Sequence, residues 1–126
     1  MKRFAIGIIL LLFAVAVSVS CFFVFDNHVE RLRVSLEELL VTAQTGKPEE
    51  IERKTEDFYN LWEDVNPVLH SLVNHQGMDV LETDILALKR FLKHEEIDLF
   101  QEACVKALSQ LENIRTAERL SFENIF

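Results

Sequence analysis

The sequence predicts an all-α protein, in which an N-terminal transmembrane helix is followed by an antiparallel bundle of three to four helices. The first observation is compositional: only three Gly and two Pro occur among 126 residues, too few for a β-rich or loop-rich chain. The second is a spacing of three and four between apolar residues along most of the chain, which is the period of a helix. Short breaks between these segments make sequential helices antiparallel, and they favour two helical hairpins.

The first element is an apolar run of 22 residues, from residue 4 to residue 25, which contains no charged side chain. As a helix it would be about 33 Å long, whereas the hydrocarbon core of a bilayer is roughly 30 Å thick. We therefore predict that residues 1–25 form a retained signal-anchor helix and that residues 4–25 contact the lipid bilayer.

Two alternatives for this run stay open beside the retained anchor. Cleavage after the segment Ser18-Val19-Ser20 would leave the bulky apolar residues 22–25 at a new N-terminus. Lipidation of Cys21 needs a large aliphatic residue three positions earlier, where this chain has Ser18. The retained anchor is favoured over both.

Charge predicts the orientation of the anchor. Lys2 and Arg3 are the only charged residues before Asp26, and the positive-inside rule places this end in the cytoplasm. Residues 26–126 then form an extracytoplasmic helical bundle, although Arg31 and Arg33 reduce the charge difference across the span. Because 11 of the 13 basic and all 21 acidic residues lie in this part, its net charge is −10, which argues against a nucleic-acid partner.

Four helices are predicted after the apolar run. The first ends near Gly46, and Pro48 opens the second, a typical pair of stop and start signals. No Gly or Pro separates the first helix from the apolar run, so one continuous helix and two separate helices both remain open. Pro67 is expected to kink the second helix rather than restart it at Asn66, because the apolar stripe keeps its phase.

Further breaks are predicted at residues 74–77 and 93–96, with the fourth helix beginning at Glu95 and Glu96. The predicted core stripes are Val29, Leu32, Leu36, Leu39 and Ala43; Ile51, Thr55, Phe58, Trp62, Val65, Leu69 and Leu72; Leu81, Ile85, Leu88 and Leu92; and Phe100, Ala103, Ala107, Leu111 and Ile114.

Three features together carry a family resemblance: the short Lys-Arg start before one apolar span, the Trp in the second helix, and residues 120–126, Leu-Ser-Phe-Glu-Asn-Ile-Phe. With these the chain resembles DUF4363, a bacterial family of short single-pass membrane proteins that end in Asn-Ile-Phe. The resemblance implies a bacterial source, but it implies no established activity and supplies no site residues.

Several histidine, cysteine and aromatic residues could in principle form a catalytic or binding site, and we interpret them as structural residues instead. His70 and His75 are five apart and would lie on different faces of a helix, whereas a helical metal pair needs a spacing of four. Cys104 is interpreted as a small buried hydrophobic residue, and Trp62 as a core residue rather than, with Tyr59, an aromatic ligand platform. We therefore predict no catalytic residue, no metal and no cofactor.

The C-terminal tail is unusual because it is apolar. Phe122, Ile125 and Phe126 are spaced so that they share one face of a helical turn. Packing onto the bundle is the favoured interpretation, and docking into a partner's groove is the alternative.

These observations predict a non-catalytic, membrane-anchored protein, not an enzyme. Its expected role is an accessory or interaction subunit of a membrane complex, with another integral membrane protein or a second copy of itself as partner. The alternative is an extracytoplasmic sensor or a module that binds a small ligand or a lipid.

Overall fold

The computed structural model describes residues 1–125, the side chain of Ile125 excepted. This part of the chain contains four helices, α1 (Lys2–Thr45), α2 (Pro48–Leu72), α3 (His75–Lys93) and α4 (Ile97–Ile125), and no strand. The predicted all-α fold with a long apolar N-terminal helix is confirmed.

The four helices form an antiparallel bundle. α1 packs against both α2 and α4, and α3 packs against α4, whereas the contact between α2 and α3 is much smaller. α1 lies diagonally opposite α3, and α2 lies opposite α4. The predicted hairpins α1–α2 and α3–α4 are therefore present, and the α1–α4 contact joins them.

α1 is one uninterrupted helix of 44 residues, which settles the question of continuity that the sequence left open. Its first buried residue is Phe25, and the preceding residues are exposed or half-buried along the helix. Within residues 1–125, α1 also contains the one stretch that is long and apolar enough to cross a membrane. We call the end of the bundle from which residues 2–24 project the proximal end, and the opposite end the distal end.

The core is built from the predicted stripes. Trp62 is 4% exposed, and Cys104 is fully buried, as predicted. Leu72 and Leu92, which lie at the ends of their helices, are only half-buried. The largest fully buried side chains are Phe58, Phe100, Leu32, Leu36, Leu39, Leu69, Met78, Leu81, Ile85 and Leu88.

The turn between α1 and α2 requires a glycine because the backbone comes close to itself. The Gly46 N–H donates to the Thr42 carbonyl at 2.6 Å, and a Cβ on Gly46 would lie 2.5 Å from the same oxygen. The φ of Gly46 is −87°, so its role is close approach rather than a left-handed conformation. Pro48 then occupies the first turn of α2, as predicted.

α2 continues through Pro67 without a restart, so Asn66 does not cap a new helix. Pro67 lies on the exposed face. The carbonyl that loses its intrahelical partner belongs to Glu63, which is also exposed, so water can replace the missing donor.

The turn between α3 and α4 uses a left-handed residue that is not glycine. Glu95 has a φ of +56°, its N–H donates to the Leu92 carbonyl, and the Glu96 N–H donates to the Phe91 carbonyl. This is a Schellman motif, in which glycine is the usual left-handed residue. Because Glu95 and Glu96 form the motif, α4 begins at Ile97 and not at Glu95 as predicted.

Replacing Glu95 by glycine is expected to stabilise the protein. An L-residue pays about 1–2 kcal/mol in the left-handed conformation, and glycine does not. We expect Glu95→Gly to raise the free energy of unfolding by about 1 kcal/mol, measured by urea denaturation of the full chain in mild detergent. Glu95→Ala is the matched control, since it keeps the penalty and should bring no such gain; equal gains in both variants would contradict the assignment.

Candidate functional site

Five charged side chains are linked at the proximal end of the bundle, where α1 leaves it. Arg115 of α4 forms a bidentate pair with Asp26 of α1, with Nε–Oδ1 at 2.8 Å and Nη2–Oδ2 at 3.1 Å, and its Nη1 lies 3.0 Å from Glu30 Oε2. Arg33 bonds Glu30 and, at 2.6 Å, Glu37. We call these five residues the charge clamp.

The hydrogen bonds of the charge clamp favour the charged forms of Glu30, Arg33 and Arg115. The hydrogen bond from Arg33, with a further one from Arg115, lowers the pKa of Glu30 to about 2 despite partial desolvation. The hydrogen bond to Asp26 raises the pKa of Arg115 above its usual value. Bidentate arginine–carboxylate pairs fix geometry as well as adding energy. The clamp therefore ties α4 to α1 one residue beyond the apolar run.

A crevice of about 160 Å³ lies beside the clamp, between the end of α4 and the part of α1 that leaves the bundle. Burial raises the pKa of the Glu118 carboxyl in its wall. The lining side chains are mostly apolar or small: Ser18, Cys21, Phe22, Phe25, Leu72, Ser121 and Phe122, together with Glu118.

Of the three tail residues predicted to pack or dock, the structure describes the position of one side chain. Phe122 stacks on Phe22 of α1, with ring centroids 4.5 Å apart and an interplanar angle of 22°, and it is half-buried. Phe126 lies outside the described residues, as does the side chain of Ile125, so partner docking by the three residues together stays a prediction.

A second, larger concavity lies at the distal end, between the start of α2 and the end of α3. It has a volume of about 770 Å³, and it is lined by two lysines, two carboxylates and three apolar residues: Lys89, Lys93, Glu52, Glu95, Pro48, Leu92 and Ile97. This volume is in the range of small-molecule pockets.

The prediction for His70 and His75 was wrong in one respect. It treated both as residues of one helix, but α2 ends at Leu72 and His75 begins α3, so the turn brings the two rings to 6.2 Å. His70 Nε2 also lies 3.8 Å from a carboxylate oxygen of Glu82. Nevertheless, no group of three or more potential metal ligands comes together within the described part of the chain.

The aromatic and thiol candidates serve the core. The Tyr59 hydroxyl donates to the Ile85 carbonyl, and Lys89 Nζ lies 4.1 Å from the Tyr59 ring centroid, so both contacts bridge the narrow seam between α2 and α3. Burial raises the pKa of Cys104 to about 12, which keeps it a protonated thiol at neutral pH. Glu49, Glu50 and Glu52, at the start of α2, are exposed.

The charge clamp was missed by sequence reasoning because Arg115 is 89 residues from Asp26. One signal was present in the sequence: Asp26 and Glu30 are four residues apart and share a helix face, which calls for a cation on a neighbouring helix. That signal does not identify which arginine supplies the cation.

Comparison with known proteins adds one match. The model of the family described as "Domain of unknown function (DUF4363)" matches residues 21–125, which include the whole bundle and the last part of the apolar run. No curated protein and no solved structure matches the chain.

Proposed function

Since the chain belongs to the DUF4363 family, a domain of unknown function, we propose that it is a non-catalytic, membrane-anchored subunit that supports a membrane complex. In this proposal residues 1–25 are a retained signal-anchor, with the N-terminus in the cytoplasm of a bacterial cell and the bundle outside it. The partner is another integral membrane protein or a second copy of this chain.

The observation that carries the proposal is the continuity of α1. The apolar run and the first helix of the bundle are one helix, so an anchor in the bilayer and the domain outside it would move as a single body. The charge clamp and the stacking of Phe22 on Phe122 fasten α4 to the same helix at the proximal end. Such a rigid connection suits a protein whose partner is held in the same membrane.

The interior of the bundle also supports a structural role. Its buried residues are apolar, apart from Thr55, whose hydroxyl is used within α2 by donation to the Ile51 carbonyl. Side chains that pack apolar surface in this way stabilise a scaffold.

The test is recovery of a partner from native membranes. Full-length protein with an affinity tag should be extracted in mild detergent, and the purified material should be analysed by mass spectrometry and by light scattering for its mass. A matched control replaces residues 4–17 by leucines, which keeps the apolar length and changes the surface of the span while Ser18, Cys21 and Phe22 keep their contacts with α4. Recovery of one integral membrane protein, or of a stable oligomer, with the native chain supports the proposal. A monomer without a co-purified membrane protein contradicts it.

The distal concavity favours a second candidate, a module that binds a small amphiphilic molecule. Its polar group would meet both charge signs, since Lys89 and Lys93 line the concavity together with Glu52 and Glu95, and its apolar part would meet Leu92 and Ile97. Native mass spectrometry of the purified full chain tests this candidate. A bound small molecule that is lost in the Lys89→Ala/Lys93→Ala variant supports it, and the absence of any bound mass from the native chain contradicts it.

A further inference from the structure

We propose that the C-terminal turns of α4, residues 118–124, lie at the boundary between hydrocarbon and headgroups in the leaflet through which α1 leaves the membrane. The protein would then contact lipid with two helices rather than one, and the second contact would be made by the end of the bundle itself. This inference rests on the proposed membrane anchor, and it adds a lipid-facing surface to it.

The end of α4 lies beside the last part of the apolar run of α1. The proximal crevice is lined by Ser18 and Cys21 from α1 and by Ser121 and Phe122 from α4, so these residues lie at the same level. Ser18 is seven residues before Phe25, a rise of about 10 Å along the helix. The end of α4 therefore runs beside the last part of the apolar run, below the level of Asp26.

The length of the apolar run determines how deep its last residues lie in a bilayer. The apolar run is about 33 Å long and the hydrocarbon core is roughly 30 Å thick, so crossing the core uses almost the whole run. Residues 18–25 then occupy the outermost layer of the hydrocarbon core, about 10 Å deep, up to its boundary with the headgroups. Because the end of α4 packs against them, it shares this boundary.

The α4 residues beside the apolar run expose both apolar and charged side chains. Leu120 is 54% exposed, and Arg119 next to it is exposed and can extend its guanidinium toward headgroup phosphates. Phe22 and Phe122 stack at the same depth.

Exposure alone does not distinguish Leu120, because Val105 in the middle of α4 is 53% exposed. The two residues differ in their position along the bundle: Val105 lies well away from the crevice and Leu120 lies next to it. This makes Val105 a matched control for the experiment.

The experiment uses tryptophan fluorescence of the full chain in two sets of phosphatidylcholine vesicles, one with acyl chains brominated close to the headgroup and one with acyl chains brominated near their methyl ends. In a Trp62→Phe background, one tryptophan is placed at a time by Phe13→Trp in the span, by Leu120→Trp, or by Val105→Trp. With bromine close to the headgroup, we expect Leu120→Trp to be quenched several-fold more strongly than Val105→Trp. With bromine near the methyl ends, we expect Phe13→Trp, in the middle of the span, to be quenched several-fold more strongly than Val105→Trp.

The three probes separate the possible outcomes. Quenching of Phe13→Trp with Leu120→Trp as unquenched as Val105→Trp overturns this inference and leaves the anchor intact. No quenching of Phe13→Trp overturns the membrane anchor and this inference with it. If Leu120→Trp does not fold, a spin label on Leu120→Cys in a Cys21→Ala background replaces it; greater accessibility to oxygen than to a water-soluble nickel chelate supports the inference, and the reverse overturns it.

Discussion

Trp62→Ala is expected to lower the free energy of unfolding by about 3–5 kcal/mol, a large part of the roughly 5–15 kcal/mol that stabilises a small domain. Trp62 is 4% exposed within the core, and removing its indole would leave a cavity between helices that cannot close fully. Urea denaturation of the full chain in mild detergent, followed by circular dichroism, measures the change.

Val105→Ala is the control for this substitution, since Val105 is 53% exposed and surface changes usually stay within about 0.5 kcal/mol. A Trp62→Ala protein as stable as the control would contradict the core assignment. It would instead favour the aromatic ligand platform that the sequence left as an alternative.

Arg115→Leu is expected to lower the free energy of unfolding by about 1.5–3 kcal/mol, the range for hydrogen bonds that involve charged groups. The substitution removes the bidentate pair with Asp26 and the bond to Glu30, and it leaves both carboxylates partly buried without this cation. The same denaturation experiment measures it. Arg53→Leu, at an exposed position of α2, is the matched control, and equal effects of the two substitutions would show that the charge clamp adds nothing.

The charge clamp also predicts a dependence on pH. The pKa of Glu30 is about 2 in the folded protein and ordinarily 4.5, so its contribution to stability is complete above about pH 4.5 and is lost as the pH falls toward about 2. In Arg115→Leu this acid-dependent loss should be smaller, because one of the two arginines that hold the carboxylate ionised is gone. An unchanged slope of stability against pH between these limits would contradict the contribution of Arg115.

The helices could be predicted from the sequence because the signals for each helix lie within or directly beside its own residues. The period of the apolar stripes identified the buried faces, and Gly46 and Pro48 marked the first turn through their own backbone properties. The break between α2 and α3 also has a local signal, since Asn74 accepts a hydrogen bond from the Gln76 N–H at the start of α3.

What the sequence could not predict depends on contacts between distant residues or on exceptions to local preference. The left-handed Glu95 was missed because glycine is the usual signal for that conformation. The stacking of Phe122 on Phe22 and the pairing of Arg115 with Asp26 depend on the register of α4 against α1, which no local pattern records. The proximity of His70 and His75 followed from a helix end whose position was predicted only to within a few residues.

If the apolar run spans a bilayer as proposed, the unbroken α1 transmits any tilt of the span to the whole bundle. The part of α1 inside the bundle, from Phe25 to Thr45, is about 30 Å long, and no turn separates it from the apolar run. A span that tilts by about 20°, an ordinary angle for a transmembrane helix, would carry the distal end sideways by about 10 Å. Any change in that tilt, through helix packing in the membrane or through local bilayer thickness, would then move the concavity beside Lys89 and Lys93 relative to the membrane surface.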